Sequence, residues 1–343
     1  MNLTNCQFTG HRFFPRSRFN TALVMITLIQ VLISTPDLFA ANKSTAVELL
    51  LTDESVSLWK IMPEAVSAEP VWEKTDLVTS LAALTQQDQV FIGSSNGLYA
   101  LNRRDGSVDW QFRGKDLIYS PIVENAIAYA ASRDGMLRAI NSDDGSLVWK
   151  RAFPGWIYTP ALSSGILVTG GSASQLWGIN KLNGDIRWQR NLPGELVSAP
   201  VTQGSDMIIA ATFSSDLLVV QSKSGDILWQ RQLSTAATHI TANEDIIFSS
   251  GYDGVVHAND ARTGAVLWQR DTHGDRNQRL QLTDTGLLVI NDRGLQRLDL
   301  KNGSLLARRD IAGEAIGSVQ QVNDKYWIFF RQNGNPQPIK LSF

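Results

Sequence analysis

The sequence predicts an all-β fold that is built from one repeated unit. Short runs rich in Val, Ile, Leu and aromatic residues alternate with Gly, Asn, Asp and Ser, a pattern typical of strands joined by tight turns. A turn glycine recurs at a nearly constant spacing, with a Trp four positions later in every copy but the last, which has Ala307. These glycines are Gly106, Gly145, Gly184, Gly225, Gly264 and Gly303. Their period of about 40 residues fits one four-stranded antiparallel blade of a β-propeller.

The N-terminal segment has the pattern of an export signal. Arg12, Arg16 and Arg18 precede a mostly apolar run from Ala22 to Ile33, and Leu38-Phe39-Ala40 suits cleavage before Ala41. The apolar run is shorter than the about 20 residues that span a bilayer. We therefore predict a signal peptide over residues 1–40 and a periplasmic mature chain. An uncleaved N-terminal segment that keeps the protein at the membrane is the alternative.

Composition limits the classes of function. The chain of 343 residues has a formal net charge of -2 and no basic run, which argues against nucleic-acid binding. Its one cysteine, Cys6, precedes the apolar run, which disfavours lipidation, a disulfide framework and a cysteine-based metal site. We expect a monomer with no cofactor, no metal and no membrane span in the mature chain.

The recurring Trp residues are expected to serve the scaffold. Regular recurrence favours a wedge between neighbouring blades over a ligand-stacking role. The residues in this class are Trp72, Trp110, Trp149, Trp188, Trp229 and Trp268. Four positions before each turn glycine stands an amide or acid, such as Asn102 or Asp260, and the Asn and Asp side chains are expected to accept backbone N–H groups in the turn.

The repeat count predicts how the ring closes. Six blades run from about Asp76 to Ile311, and the remaining C-terminal residues contain only three strand-like runs. A Trp-bearing strand around Trp72 stands before the first blade. We therefore predict seven blades, with this N-terminal strand completing the last one, so that residues 41–68 form an extension and residues 69–343 the propeller. An eight-bladed ring is the alternative.

The segment from Leu98 to Asn102, followed by Asp105-Gly106 and Trp110, resembles the PQQ-like repeat of quinoprotein propellers. Within that family it is most similar to the periplasmic propeller lipoprotein of the outer-membrane β-barrel assembly machinery. That resemblance implies a non-enzymatic scaffold, which in the family is lipidated and usually has eight blades. Quinoprotein enzymes have longer chains, a vicinal disulfide and a calcium site, so the resemblance does not imply their chemistry here.

Binding residues are expected where the first strand of each blade lines the axial channel. Aligning the copies by their glycines places Ser120, Thr159, Ala199, His239 and Gln278 at equivalent positions. The candidates for binding a partner or ligand at the channel mouth are Tyr119, Trp156, Tyr158, His239 and Gln278. The alternative is that axial residues are small or polar because the channel is narrow and wet.

No catalytic constellation stands out, since no Gly-x-Ser-x-Gly elbow between a strand and a helix is predicted and phosphate-loop and paired-His patterns do not occur. We expect an exported, non-enzymatic interaction scaffold with protein partners in the cell envelope and a role in envelope or outer-membrane protein assembly. The alternative is a periplasmic small-molecule-binding protein or quinoprotein-type enzyme that uses the channel mouth.

Overall fold

The computed structural model describes residues 46–51, 56–62, 67–74, 79–86, 88–273, 279–291, 294–311, 314–322, 325–332 and 335–341. These residues form 30 antiparallel strands in eight sheets, and none of them is helical. The predicted signal peptide and cleavage site lie outside the described residues. In the described part of the chain no helix is long and apolar enough to cross a membrane.

The sheets follow one another along the chain, and each is a simple meander. Sheet 1 contains β1 (Ala46–Leu51), β2 (Val56–Met62) and β3 (Ser67–Lys74). Sheet 2 contains β4 (Thr79–Gln86), β5 (Gln89–Ser94), β6 (Gly97–Asn102) and β7 (Val108–Arg113). Sheet 3 contains β8 (Ile122–Glu124), β9 (Ile127–Ala131), β10 (Met136–Asn141) and β11 (Leu147–Ala152). Sheet 4 contains β12 (Ala161–Ser163), β13 (Ile166–Gly170), β14 (Gln175–Asn180) and β15 (Ile186–Asn191).

The second half repeats the same arrangement. Sheet 5 contains β16 (Val201–Gln203), β17 (Met207–Ala211), β18 (Asp216–Gln221) and β19 (Ile227–Gln232). Sheet 6 contains β20 (Ala237–Ala242), β21 (Ile246–Gly251), β22 (Val255–Asp260) and β23 (Val266–Asp271). Sheet 7 contains β24 (Arg279–Thr283), β25 (Gly286–Asn291), β26 (Gly294–Leu298) and β27 (Leu305–Asp310). Sheet 8 contains β28 (Glu314–Val322), β29 (Lys325–Gln332) and β30 (Asn335–Leu341).

The two middle strands of each four-stranded sheet supply most of the core. Strands β9, β13, β17 and β21 are almost fully buried, whereas the fourth strands β7, β11, β15, β19, β23 and β27 bury only alternate residues. The first strands β8, β12 and β16 are short, and each begins after a proline (Pro121, Pro160 and Pro200). Since proline has no N–H to donate, strand pairing stops at each proline. Strand β20 has no proline before it and is twice as long as β8.

Each recurring Trp joins its own sheet to the next one. Its indole N–H donates to a main-chain carbonyl in the following sheet, as from Trp188 to Ser222 at 2.8 Å. The same indole lies against the turn glycine of the next sheet, so that a Cβ at Gly184 would stand 2.6 Å from Trp149 Cε3. The six acceptor residues are Arg103, Ser142, Lys181, Ser222, Ala261 and Leu300. The indoles therefore lie between consecutive sheets from sheet 1 to sheet 7.

A second contact between sheets is made by an arginine two positions after Trp. Arg190 donates from Nε to the Gly225 carbonyl at 2.8 Å and pairs with Asp226 at 3.0 Å. Arg151, Arg231 and Arg270 reach the equivalent glycine carbonyls of their next sheets. Sequence reasoning did not identify this contact, although Trp-x-Arg recurs at all four positions.

The turn prediction is confirmed for the Asn and Asp side chains. Asn102 Oδ1 accepts the Arg104 N–H at 2.9 Å, and Asp260 Oδ1 accepts the Arg262 N–H at 3.1 Å. Asn141, Asn180 and Asp299 accept equivalent bonds. These hydrogen bonds hold the turns in shape, and the indoles of the preceding sheets pack against the same turns. The recurring Asn or Asp therefore supports the contact between sheets.

The predicted seam is wrong, and the described sheets number eight instead of seven. The Trp72 strand, β3, pairs with β2 and not with the C-terminal sheet. Residues 46–62, assigned to an extension, contain the other two strands of sheet 1, so the predicted boundary at residue 69 falls inside β3. Among the described strands, β30 pairs only with β29.

Two prolines explain why no described strand pairs with the outer side of β30. Pro336 and Pro338 occupy alternate positions of β30 and lack the N–H that a further strand would need. Lys340 is the next residue in the same every-second-residue series. Its carbonyl accepts a hydrogen bond from the Arg309 side chain of sheet 7 and not from β29. These residues therefore present the outer edge of sheet 8, and the two prolines block strand pairing there.

Sheet 8 contacts both sheet 7, its neighbour along the chain, and sheet 1. Gln281 of sheet 7 donates to the Val319 carbonyl at 2.8 Å and accepts the Val319 N–H at 2.9 Å. On the other side, Phe329 of β29 meets Trp59 of β2 edge to face, with ring centroids 5.7 Å apart. The first and last sheets therefore pack against each other.

Candidate functional site

One end of the molecule gathers the loops between sheets and the turns between the second and third strands. At this end a turn N–H donates to a loop carbonyl in three successive sheets: Arg133 to Leu117, Ser172 to Trp156, and Phe213 to Glu195, at 2.9–3.1 Å. These bonds hold the turns and loops side by side. We call the surface formed by Arg133, Trp156, Glu195, Phe213 and Tyr252 the mouth surface.

Two large aromatic residues are exposed at equivalent turn positions of the mouth surface. Phe213 in sheet 5 is 51% exposed, and Tyr252 in sheet 6 is 45% exposed. The equivalent turn residues in sheets 2 and 4 are Ser95 and Ser172. Since serine serves this turn elsewhere, the turn geometry does not require an aromatic side chain at these two positions.

Three of the predicted binding aromatics form one stack below the mouth surface. Tyr158 meets Trp156 edge to face at 4.9 Å between ring centroids, and Tyr119 packs on Tyr158 at 5.7 Å. Tyr119 and Tyr158 are buried, and the Tyr158 hydroxyl donates to the Val197 carbonyl at 3.2 Å. Tyr119 and Tyr158 therefore link the segments that precede β8, β12 and β16, and Trp156 is the half-buried member that reaches the surface.

Electrostatics show which groups surround the stack. Burial raises the pKa of the Tyr158 hydroxyl well above its usual range, and Tyr119, Arg133, Tyr252 and Glu195 also act on it. Burial likewise raises the pKa of Tyr119, while a hydrogen bond from Arg133 opposes that rise. Both tyrosines stay neutral at ordinary pH and lie within electrostatic reach of the mouth surface.

His239 lies in β20 away from solvent, with 3% of its surface exposed. Burial, helped by the charge of Arg279, lowers the pKa of His239 to about 3. Its neutral ring lies 3.3 Å from the Thr238 hydroxyl, measured from Nδ1. Gln278, the remaining candidate, lies outside the described residues.

The other axial positions are also engaged in packing. Thr159 donates to the Ser120 carbonyl at 2.8 Å, which bridges sheets 4 and 3. Among the described residues no group of three or more His, Cys, Asp or Glu side chains is placed to hold a metal ion.

The residues that sequence reasoning missed, Phe213 and Tyr252, could have been found as the two aromatic exceptions to a small or polar turn position.

Comparison with known proteins agrees with the repeat and the fold. Residues 214–326 match the sequence profile of the family described as outer membrane protein assembly factor BamB. The crystal structure of BamB from Moraxella catarrhalis has a TM-score of 0.66 to this chain at 19% identity, covering 84% of this chain and 93% of that one. The chain has a BamB-like β-propeller fold.

A designed protein also shares the fold of this chain. The crystal structure of the computationally designed Ika8 protein gives a TM-score of 0.71 at 13% identity, covering 87% of this chain and 97% of that one. A comparison with curated proteins returned no match. The predicted resemblance to PQQ-like, BamB-like propellers is confirmed at the level of repeat and fold.

Proposed function

We propose that this PQQ-like β-propeller is an exported, non-enzymatic scaffold that docks a protein partner on its mouth surface and acts in protein assembly in the cell envelope. The exposed pair Phe213 and Tyr252 carries the proposal. Large aromatics are enriched in the centres of protein interfaces, and these two are exposed at equivalent turn positions of neighbouring sheets. Trp156 and the charges of Arg133 and Glu195 supply a half-buried anchor and a polar rim around them.

The envelope location rests on two supports. Residues 1–40 have the pattern of an export signal, and the family matched by residues 214–326 is described as an outer membrane protein assembly factor. The mature chain is proposed to act in the periplasm as a monomer, without a cofactor. Tyr158 and Thr159 support a structural interior, because their hydroxyls donate to the Val197 and Ser120 carbonyls.

We further infer that the eight sheets close into one ring. Inter-sheet bonds join sheets 1 to 7, Gln281 joins sheet 7 to sheet 8, and the Trp59–Phe329 contact joins sheet 8 to sheet 1. A closed ring leaves no sheet face without a neighbour. It would also hold sheets 3 to 6 at fixed angles, which places the mouth residues together.

The docking proposal is tested by replacing the two exposed aromatic residues with serine, which occupies the equivalent turn position in sheets 2 and 4. A Phe213→Ser, Tyr252→Ser double variant should fold normally, because Ser95 and Ser172 occupy the same turn position. We expect recovery of the cross-linked partner from intact envelopes to fall by at least about tenfold, since exposed aromatic anchors contribute on the order of 1–2 kcal/mol each to an interface.

Leu182→Ser is the matched control. Leu182 is 76% exposed, but it lies in a turn between third and fourth strands, at the opposite end of the sheets. Unchanged partner recovery is expected for this control. Undiminished recovery by the double variant, with a thermal midpoint equal to that of the native chain, would overturn the docking proposal.

A further inference from the structure

The third strand of successive sheets carries one side chain that faces the preceding sheet near the mouth surface. In sheet 3 this residue is Arg138, whose guanidinium lies 5.9 Å from the centroid of the Phe112 ring in sheet 2. In sheet 4 it is Trp177, whose ring centroid lies 4.9 Å from that of Phe153, just after β11. His257 holds the equivalent position in sheet 6, where it is 5% exposed. His257 therefore lies buried between sheets 5 and 6.

The buried ring of His257 has unpaired nitrogens. Neither nitrogen makes a hydrogen bond to another of the described residues, although Nε2 lies 3.5 Å from Asp253 Oδ2. Ser249, directly opposite on β21, also has a buried hydroxyl with no hydrogen-bond partner in the described part of the chain. An unpaired buried polar group is costly and calls for an explanation in a native fold. A proton on the ring would give His257 a charged partner in Asp253.

Sheet 3 contains the same arrangement in a permanently charged form. Arg138 lies four positions after Asp134, just as His257 lies four positions after Asp253. Nη1 of Arg138 donates to Asp134 Oδ1 at 3.2 Å, and Nη2 pairs with Oδ2. Arginine keeps its charge at every physiological pH, whereas histidine ordinarily gains its charge between about pH 8 and 5. The pair in sheet 6 is therefore a titratable version of the pair in sheet 3.

The two turns that carry these carboxylates also match in their main chain. Asp134 Oδ1 accepts the Met136 N–H at 3.0 Å, and Asp253 Oδ1 accepts the Val255 N–H at 3.0 Å. In both sheets the other oxygen, Oδ2, lies next to the third-strand side chain. A protonated ring at His257 would thus complete the arrangement that sheet 3 already has.

Within sheet 6, Asp253 is the acid that can accept this proton bond. Among the described residues it is the only carboxylate that lies within ion-pair distance of the His257 ring. Asp271 of β23 lies on the same face of the sheet, but its carboxylate pairs with His273 at 3.2 Å. Gln269, opposite His257 on β23, carries no charge.

The charged groups of sheet 5 are engaged elsewhere. Arg231 of β19 faces sheet 6 and donates to a main-chain carbonyl there at 2.6 Å. The buried carboxylate of Asp216 accepts a side-chain amide of its own sheet at 2.7 Å. Ser234, in the loop that leaves sheet 5, donates to Asp253 Oδ2 at 2.5 Å. Asp253 is thus held at the boundary between sheets 5 and 6, beside the ring.

We propose that His257 is a proton switch that fastens the Tyr252 turn when its ring takes up a proton, so that the mouth surface binds its partner more tightly in mild acid. This inference rests on the proposed docking function and states how it is regulated. Tyr252 directly precedes Asp253 and is 45% exposed. The protonated ring donates to Asp253 as Arg138 donates to Asp134, which holds the turn in one conformation. An ordered turn loses less entropy when Tyr252 docks.

Amide hydrogen exchange at two pH values tests the switch on the purified chain. Protection is expressed relative to the intrinsic exchange rate at each pH. We expect protection of residues 252–255 to rise about tenfold from about pH 7.5 to about pH 5.5, because a charge-assisted hydrogen bond replaces unpaired groups. Protection of residues 133–136 should not change, since Arg138 stays charged. Equal protection of residues 252–255 at both pH values would overturn the proposal.

Reciprocal substitutions separate a switch from a merely structural role. His257→Arg recreates the pair of sheet 3 and should protect residues 252–255 at both pH values, whereas His257→Gln should leave them weakly protected at both. Arg138→His should give residues 133–136 a dependence on pH. His239→Gln removes a second buried histidine and should leave the pH dependence of residues 252–255 intact. A pH dependence that survives in His257→Gln would overturn the proposal.

Cross-linking in intact envelopes tests the coupling to the mouth surface. The native chain should recover about fivefold more partner at about pH 5.5 than at about pH 7.5, and His257→Arg should recover the higher amount at both. Recovery by the native chain that is the same at both pH values would also overturn the proposal. Undiminished recovery by the Phe213→Ser, Tyr252→Ser variant would overturn mouth docking instead, and the exchange results of the native chain would distinguish the two failures.

Discussion

Gly184 shows at the scale of one residue why the turn glycine recurs. Its φ is +74°, which L side chains rarely adopt, and an added Cβ would collide with the Trp149 indole at 2.6 Å. The turn geometry and the indole contact thus both require glycine. The other turn glycines also combine a positive φ with an indole contact. Since both features require glycine, the spacing of glycines in the sequence was enough to locate these contacts.

Gly184→Ala should lower the free energy of unfolding by about 2–4 kcal/mol, because backbone strain of about 1–2 kcal/mol adds to overpacking against the indole. Gly165→Ala is the matched control, since its φ is +78° with nothing within 4 Å of an added Cβ. That control should lose only the strain, about 1–2 kcal/mol. Denaturant unfolding measures both variants. Equal losses would show that the indole contact contributes nothing.

Trp188 combines packing with a hydrogen bond. Trp188→Ala should lose about 3–5 kcal/mol of unfolding free energy, as expected for a large buried aromatic residue. Trp188→Phe keeps much of the packing but leaves the Ser222 carbonyl without the indole N–H, so a loss of about 1–2 kcal/mol is expected from the hydrogen bond. Thermal unfolding compares the two. A Trp188→Ala midpoint equal to that of the native chain would contradict the wedge role.

His239 makes stability depend on pH in acid. Its pKa is lowered to about 3 in the folded chain, against about 6.5 when unfolded, so only the unfolded chain takes up a proton between these values. The stabilising effect of the neutral ring is complete above about pH 6.5 and is lost as pH falls toward 3. The folding equilibrium constant should fall about tenfold per pH unit in this window relative to His239→Gln.

Urea titrations at pH 7, 5 and 4 measure this difference. His273→Gln is the control, because the His273 side chain is 69% exposed. Identical pH profiles for the native chain and His239→Gln would contradict the burial of His239.

At the scale of the element, the fourth strand carries the contacts between sheets. In β15, Trp188 and Arg190 both face sheet 5, where they bond to the turn that contains Gly225. Arg187, next to Trp188, is exposed and points away from this contact. Alternate residues of the strand thus contact the next sheet, and the residues between them face solvent.

Arg190→Met should lower the unfolding free energy by about 1–2 kcal/mol, since it removes charge-assisted bonds to two carbonyls and a partly exposed ion pair with Asp226. Arg187→Met on the same strand should stay within about 0.5 kcal/mol. The two variants are compared by denaturant midpoints. A loss for Arg187→Met as large as that for Arg190→Met would contradict the assignment.

The elements that sequence predicted well are those with a local signature. The fixed spacing of Gly and Trp reflects a contact between neighbouring repeats. The Asn or Asp before the turn reflects a hydrogen bond within one repeat. Sheet 1 was missed because β1 and β2 carry no turn glycine followed by Trp. The seam was misassigned because Trp72 marks the kind of strand but not its partner, whereas Pro338 excludes the partner we expected.

The candidate site was harder to predict than the fold. Equivalence among copies placed the candidates near the first strands of their sheets, but it could not show that Tyr158 and His239 are buried by neighbouring sheets. Exposure is a property of the assembled sheets, and it alone separates Tyr252, at 45% exposure, from the buried tyrosines. Aromatic residues at a turn position that holds serine in sheets 2 and 4 and Arg133 in sheet 3 were the signal available in the sequence.

At the scale of the whole molecule, the proposed mouth surface depends on the sheets standing in one ring. The mouth residues come from sheets 3 to 6, and no single sheet contains them all. The proposed ring in turn depends on sheet 8 packing against sheet 1 through Phe329 and Trp59. Ring closure is therefore the claim on which the proposed mouth surface rests.

Hydrogen exchange of β2 in a Phe329→Ala variant tests ring closure most directly. Phe248→Ala is the control, because Phe248 is equally buried but packs on Trp268 in sheet 6. If the ring closes, the amides of residues 56–62 should exchange at least about tenfold faster in Phe329→Ala than in Phe248→Ala, which corresponds to about 1.4 kcal/mol of local stability. Equal exchange of β2 in the two variants would contradict a closed ring.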